Sequence, residues 1–234
     1  GVADADTVIL AAPVRVIIDL ITNRIGSYLR SNTLLVDIGS TKRDICDAMG
    51  RLPIGIQAIG GHPMTGKESS GIESSEATLF ANRPFVLCPS RRTTPATTDR
   101  AVSLIAAINA VPIEMEPQRH DHVVAAISHL PYIISSALVA TVAHEGEEDD
   151  AVWRLAAGGF RDTSRLAAQD LNMMGDILST NTQAVATLLA VFRMQLAMIE
   201  ASLIAQENGK LVDLLRTSRD ARIAWAKRVE EAKK

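Results

Sequence analysis

The segment Gly60-Gly61-His62-Pro63-Met64-Thr65-Gly66-Lys67-Glu68-Ser69-Ser70-Gly71 holds the residue best suited to moving a proton. Histidine is the side chain whose ordinary pKa lies nearest neutrality. His62, fixed between a glycine pair and a proline, is therefore placed to act as a general base. The segment follows a run that reads as a strand, and in α/β sheets ligands bind beyond the strands' C-terminal ends. The alternative is a polar loop whose histidine satisfies nearby backbone groups. Asp37-Ile38-Gly39-Ser40-Thr41-Lys42 stands at a second strand end opening onto a helix. Its hydroxyls suit a helix cap, and the helix start suits an anionic ligand. Gly158-Gly159-Phe160-Arg161-Asp162-Thr163-Ser164-Arg165 carries two arginines one turn apart, whose forks match carboxylate oxygens. A solvated surface pair is the other reading there. His120-Asp121-His122 and Ser128-His129-Leu130-Pro131-Tyr132 place three histidines close together and invite a metal. However, His120 and His122 project from different sides of a helix, and no cysteine or carboxylate cluster joins them, so no metal is expected.

These residues need a scaffold, and hydrophobic periodicity supplies one. Residues 7–12, 33–38, 54–59, 84–87 and 111–115 are short apolar runs that read as buried strands. Between them, residues 14–29, 41–49 and 101–109 carry helical spacing. Strands alternating with helices predict an α/β layer fold with a largely parallel sheet. From about residue 117 the pattern is helical only, over 123–144, 149–155, 163–178, 182–206 and 211–231. A boundary is therefore expected near residue 116, with an α/β domain over 1–116 and an all-α domain over 117–234. Residues 184–204 are apolar around most of the helix circumference, which calls for burial inside a bundle or between subunits.

Composition narrows the function. The 234 residues carry 24 Lys plus Arg against 27 Asp plus Glu, a formal charge of -3, so no surface neutralises a run of phosphates. Aromatic residues are only 3%, too few for base-stacking platforms. No nucleic-acid partner is expected. Cys46 and Cys88 do not make a disulfide framework and read as the reduced thiols of a cytoplasmic protein. The apolar stretch 184–199, interrupted by Arg193 and Gln195, reads as too short to span a bilayer, so no membrane partner is expected. The dinucleotide turn G-x-G-x-x-G is absent, and residue 1 is Gly rather than Met. Both point to an N-terminally trimmed nucleotide domain, short of its opening by on the order of 60 to 70 residues at roughly 30 per βαβ unit.

The order of the motifs carries a resemblance. Leu10-Ala11-Ala12-Pro13-Val14, then 37–42, 60–71, 120–131 and 158–165, resembles the run L-A-x-P-V, D-x-G-S-x-K, G-x-H-P-M-x-G-x-E-x-S-G, H-D with S-H-L-P-H, and G-G-F-x-D-x-[ST]-R. That is the order found in the prephenate and arogenate dehydrogenase family of tyrosine biosynthesis. The resemblance implies a partial Rossmann-like nucleotide-binding domain followed by a helical dimerisation domain. It further implies oxidative decarboxylation of prephenate, or of arogenate, with NAD or NADP as cofactor and a homodimer formed through the helical half. By the same resemblance His62 draws the proton of the substrate's C4 hydroxyl, and Ser40 orients both beside the nicotinamide. Arg165 holds a substrate carboxylate and His120 lines the same pocket. Tyr132, Glu68, Asp162 and Gly158 also fall at substrate-side positions, while Ala12, Pro13 and Arg15 face the cofactor. Two positions depart from the pattern: Tyr132 replaces the second histidine of S-H-L-P-H, and Met174 stands where some members carry a tryptophan. Met174 would make that pocket wall softer.

Overall fold

The computed structural model describes residues 2–66 and 71–231. Five strands form one sheet in the order β1 (Thr7–Leu10), β2 (Leu34–Asp37), β3 (Gln57–Pro63), β4 (Pro84–Pro89) and β5 (Val111–Glu114). Strands β1, β2 and β3 are mutually parallel, with Val36 opposite Ile9 on one side and Ile59 on the other. Strand β4 runs antiparallel to β3, and β5 runs parallel to β4. The connections explain the switch. Parallel neighbours need a crossover, usually a helix. Such helices join β1 to β2 and β2 to β3, namely α1 (Val14–Asp19) and α2 (Arg43–Met49), and α3 (Pro95–Ala107) joins β4 to β5. Between β3 and β4 the described residues form only a single-turn helix, Ile72–Ser74, and the chain simply returns. The expected largely parallel sheet is thus correct for three of the four pairings.

Both faces of the sheet are covered, which is why β2 is buried at all four positions. On one face Val8, Leu10, Leu35 and Ala58 pack with Ile17 of α1 and Ile45 and Met49 of α2. On the other, Leu34, Val36, Ile59, Phe85 and Leu87 pack with Ala101 and Ile105 of α3. Helix α3 starts where Thr94 accepts the Thr97 N–H and Pro95 needs no partner for a missing one. The helix expected over 14–29 is shorter: α1 passes into a π-helical turn, Leu20–Ile25, and stops there.

The helical part begins with α4 (Pro117–Val124), capped by Glu116, whose carboxylate accepts the Arg119 N–H at 3.0 Å. A π-helical turn, Ala125–His129, leads into α5 (Leu130–Glu148). Short helices α6 (Ala151–Arg154) and α7 (Gly158–Ser164) follow, then a 3-10 turn, Arg165–Ala168, and α8 (Leu171–Thr180). The long helices α9 (Thr182–Ile204) and α10 (Asn208–Glu231) complete the chain.

The chain divides into two compact units, residues 1–185 and 186–234. The first contains the sheet and α1 to α8. The second contains most of α9 and all of α10, and it leaves Val191, Met194, Leu196, Met198, Leu203 and Ile204 exposed along α9. The reading of this stretch as too short to cross a bilayer is corrected. The helix runs through 182–204, and by length and composition alone it, like the continuous helical stretch over 117–148, could cross one.

Candidate functional site

The C-terminal ends of β1, β2 and β3 lie on one edge of the sheet, and the chain places its polar chemistry there. His62 was expected in a loop after a strand; it is in β3 itself, opposite Val86 of β4. The glycines before it permit close packing rather than a turn. A Cβ on Gly61 would stand 2.5 Å from the Asp37 carbonyl, and one on Gly60 would stand 2.7 Å from the Cys46 sulfur.

A buried ion pair ties the two strand ends together. Lys42 Nζ and the Asp37 carboxylate meet with both side chains 0% exposed. Asp37 accepts the N–H of Gly39 at 2.8 Å and that of Gly61 at 3.1 Å, and Lys42 Nζ donates to the Gly61 carbonyl at 2.7 Å. One carboxylate therefore holds the residue before Ser40 and the residue before His62. The hydroxyl cap expected for α2 is not made: Lys42 occupies the N-cap position without a side-chain cap, and Thr41 bonds instead to Thr180 across 2.9 Å. Asp121 of α4 supplies the missing acceptor, taking the Lys42 N–H at 2.7 Å and the Arg43 N–H at 2.9 Å.

Behind His62 lies a line of side chains. His62 Nδ1 is 2.8 Å from His120 Nε2, and His120 Nδ1 is 2.8 Å from Asp121 Oδ1. His120 was expected to line the pocket. It is only 1% exposed and both ring nitrogens are engaged, so it supports His62 from within the protein. His129 is buried next to Asn181, with their nitrogens 3.3 Å apart, while His122 is exposed.

Beside the ends of β1 and β2 opens a cleft of about 550 Å³. It gathers Ala12, Pro13, Ser40 and Arg165, four of the expected site residues, with Asp176 and Met173 on the wall. Asp176 also accepts the Arg15 N–H at 3.1 Å and pairs with the largely exposed Arg15 guanidinium at 3.4 Å. Met174 is buried with Tyr132 and Ile177, and its neighbour Met173 lines the cleft. Tyr132 is likewise a core residue and not a cleft residue. Asp162 is exposed and pairs with Arg161, away from the cleft lining, and Gly158 starts α7 with no close neighbour that would exclude a side chain. Glu68 lies outside the described residues. Sequence reasoning named Asp37, Lys42 and Asp121 only as parts of motifs. Their signal was their place at a strand end and in a histidine pair, and their partnership is long-range. Cys46 and Cys88 are free and buried, and burial pushes the Cys46 thiol up to about 12 and Cys88 up as well, leaving both unreactive.

Burial holds His62 well below the ordinary histidine value, and the Lys42 ammonium and the two neighbouring histidines add to the effect. His62 is thus neutral at neutral pH, the form that accepts a proton. Burial lowers His129 to about 4. Protonating either ring costs more in the folded chain than in the unfolded one, so the unfolded state binds more protons once the pH drops below about 6.5. The stability they confer is complete above that value and is lost as pH falls, for His129 until about 4. Thermal midpoints are expected to hold above about pH 6.5 and fall below it, and His129→Gln should flatten part of that slope. A midpoint that rises on acidification would contradict the assignment.

Comparison with known proteins gives this geometry a family. The prephenate dehydrogenase nucleotide-binding domain matches residues 1–114, and the prephenate dehydrogenase dimerization domain matches residues 116–217. A prephenate dehydrogenase of Bacillus subtilis is 37% identical over 182 residues, 77% of this chain and 49% of that protein. A cyclohexadienyl dehydrogenase of Zymomonas mobilis is 31% identical over 230 residues, 96% of this chain and 76% of its own length. The chain thus spans about half the length of the Bacillus subtilis relative. Among solved structures, Synechocystis arogenate dehydrogenase superposes with a TM-score of 0.83 at 29% identity, covering 95% of this chain and 80% of that one. Aquifex aeolicus prephenate dehydrogenase, in complex with hydroxyphenyl propionate and NAD+, superposes with a TM-score of 0.84 at 27% identity, covering 94% and 76%.

Proposed function

Because the chain belongs to the prephenate dehydrogenase family, we propose that it serves the oxidative decarboxylation of prephenate to 4-hydroxyphenylpyruvate. The observation that carries this reading is the cleft that gathers Ala12, Pro13, Ser40 and Arg165, with neutral His62 on the neighbouring strand end. Small side chains at Ala12 and Pro13 leave room at the cleft for a nicotinamide ring, and Ser40 lines the same cleft. A nicotinamide held there would supply the acceptor for the hydride that leaves C4 of the substrate ring. His62 takes the proton of the C4 hydroxyl as that carbon becomes a carbonyl-like centre, and Ser40 holds the hydroxyl in line. Loss of the ring carboxylate as carbon dioxide then completes aromatisation. Arg165 binds a substrate carboxylate with its two-pronged fork.

Residues 117–234 form the substrate and pairing half of this reading. A second copy of the chain covers the apolar surface of α9, in line with the dimerization domain that matches there. Arogenate, with an alanyl side chain in place of the pyruvyl one, is the alternative substrate. The test is to supply a chain that carries the dinucleotide turn with prephenate or arogenate and with NAD or NADP, and to follow reduced nicotinamide by absorbance. Turnover of prephenate supports the reading, turnover of arogenate alone replaces the substrate, and turnover of neither overturns it.

A further inference from the structure

We propose that His120, held by Asp121, is a positioning residue that sets the tautomer of His62 and so keeps the His62 Nε2 lone pair free. Backbone N–H groups can only donate, so the Asp121 carboxylate is an acceptor toward Lys42 at 2.7 Å and Arg43 at 2.9 Å. A carboxylate held this way accepts again from His120, whose Nδ1 lies 2.8 Å from Oδ1 and must therefore carry the hydrogen. A neutral imidazole has one N–H. His120 Nε2 then bears a lone pair, and His62 Nδ1, 2.8 Å away, must donate to it. The hydrogen of His62 is thereby committed to Nδ1, and Nε2 is left to accept a proton.

The surroundings hold this assignment in place. His120 is 1% exposed, so water does not compete for either ring nitrogen. The ring planes are 70° apart with centroids at 5.0 Å, and the 2.8 Å between His62 Nδ1 and His120 Nε2 brings one edge nitrogen of each ring to hydrogen-bond distance. The Asn181 amide donates to the Asp121 carbonyl at 2.7 Å, fastening the backbone that carries the pair. Asp121 thus does two things with one carboxylate: it caps the start of α2 and, through His120, orients the ring on β3.

The tautomer claim stands on geometry alone, and its consequence for turnover rests on the proposed reading of His62 as the base. The test begins with the unmodified chain labelled with 15N-histidine, read by long-range 1H–15N correlation near neutral pH. The expected pattern is Nδ1–H for both His62 and His120. An Nε2–H pattern at His62, or a doubly protonated His120, overturns the proposal without any variant being made. His120→Phe keeps an aromatic ring and removes the acceptor. It is expected to shift His62 toward Nε2–H and to lower kcat about 100-fold with KM changed less than about two-fold. His120→Gln, which restores an acceptor oxygen, should recover part of kcat. An unchanged His62 tautomer in His120→Phe overturns the proposal. Absence of turnover in a chain that carries the dinucleotide turn would count against the proposed reaction while leaving the tautomer result to stand or fall by the spectra.

Discussion

His62→Asn is expected to lower turnover by between about 10² and 10⁴-fold while leaving substrate affinity near that of the parent. The amide of asparagine preserves a donor toward His120 Nε2, so the line behind the ring keeps a partner. What disappears is a basic nitrogen able to take the hydroxyl proton. On the proposed reading affinity is carried elsewhere, by Arg165 and the other residues lining the cleft, so KM or a directly measured dissociation constant should move little while kcat collapses. A parent-like thermal midpoint would show that the loss is chemical rather than structural. Turnover within a few-fold of the parent would remove His62 from the role of base.

Lys42→Met should cost about 3 to 5 kcal/mol of stability, read as a lowered urea midpoint. Lys42 and Asp37 are both 0% exposed, and removing the ammonium leaves a carboxylate with no counter-charge in the interior. Asp37 still accepts the Gly39 and Gly61 N–H groups, which places the cost toward the lower end of that range. Adding Asp37→Asn to Lys42→Met removes the stranded charge and should recover part of the loss, a coupling that the two single variants do not predict by addition. A single variant as stable as the parent would mean that the pair is a bystander. The same pair holds the backbone before Ser40 and before His62, so Lys42→Met should also lower kcat in a chain that remains folded at low temperature.

The amino-acid sequence already contains most of the architecture, because burial patterns act locally. Runs such as Leu34-Leu35-Val36 suit strands covered on both faces, and the spacing after residue 117 is helical. The motif order also places Ser40, His62 and Arg165 at the starts and ends of elements, where sheets present their ligands. Other features were hidden. His62 was read as a loop residue because glycine and proline signal turns, whereas here Gly60 and Gly61 are small so that the Asp37 backbone and the Cys46 sulfur can approach. Met173 and Met174 are neighbours in sequence, and only the rotation of α8 sends one into the cleft and the other into the core beside Tyr132.

By itself, then, the sequence determined the family, the α/β-then-helical plan and the candidate base, since each depends on residue types at short spacing. Tertiary structure alone decided which carboxylate caps the start of α2, which charge neutralises Lys42, and which ring stands behind His62. Asp121 is separated from Lys42 by 79 residues and His62 from His120 by 58. No local pattern encodes such pairs. They form because a buried N–H, carboxylate or ring nitrogen must find a partner from whichever part of the chain the packing brings near.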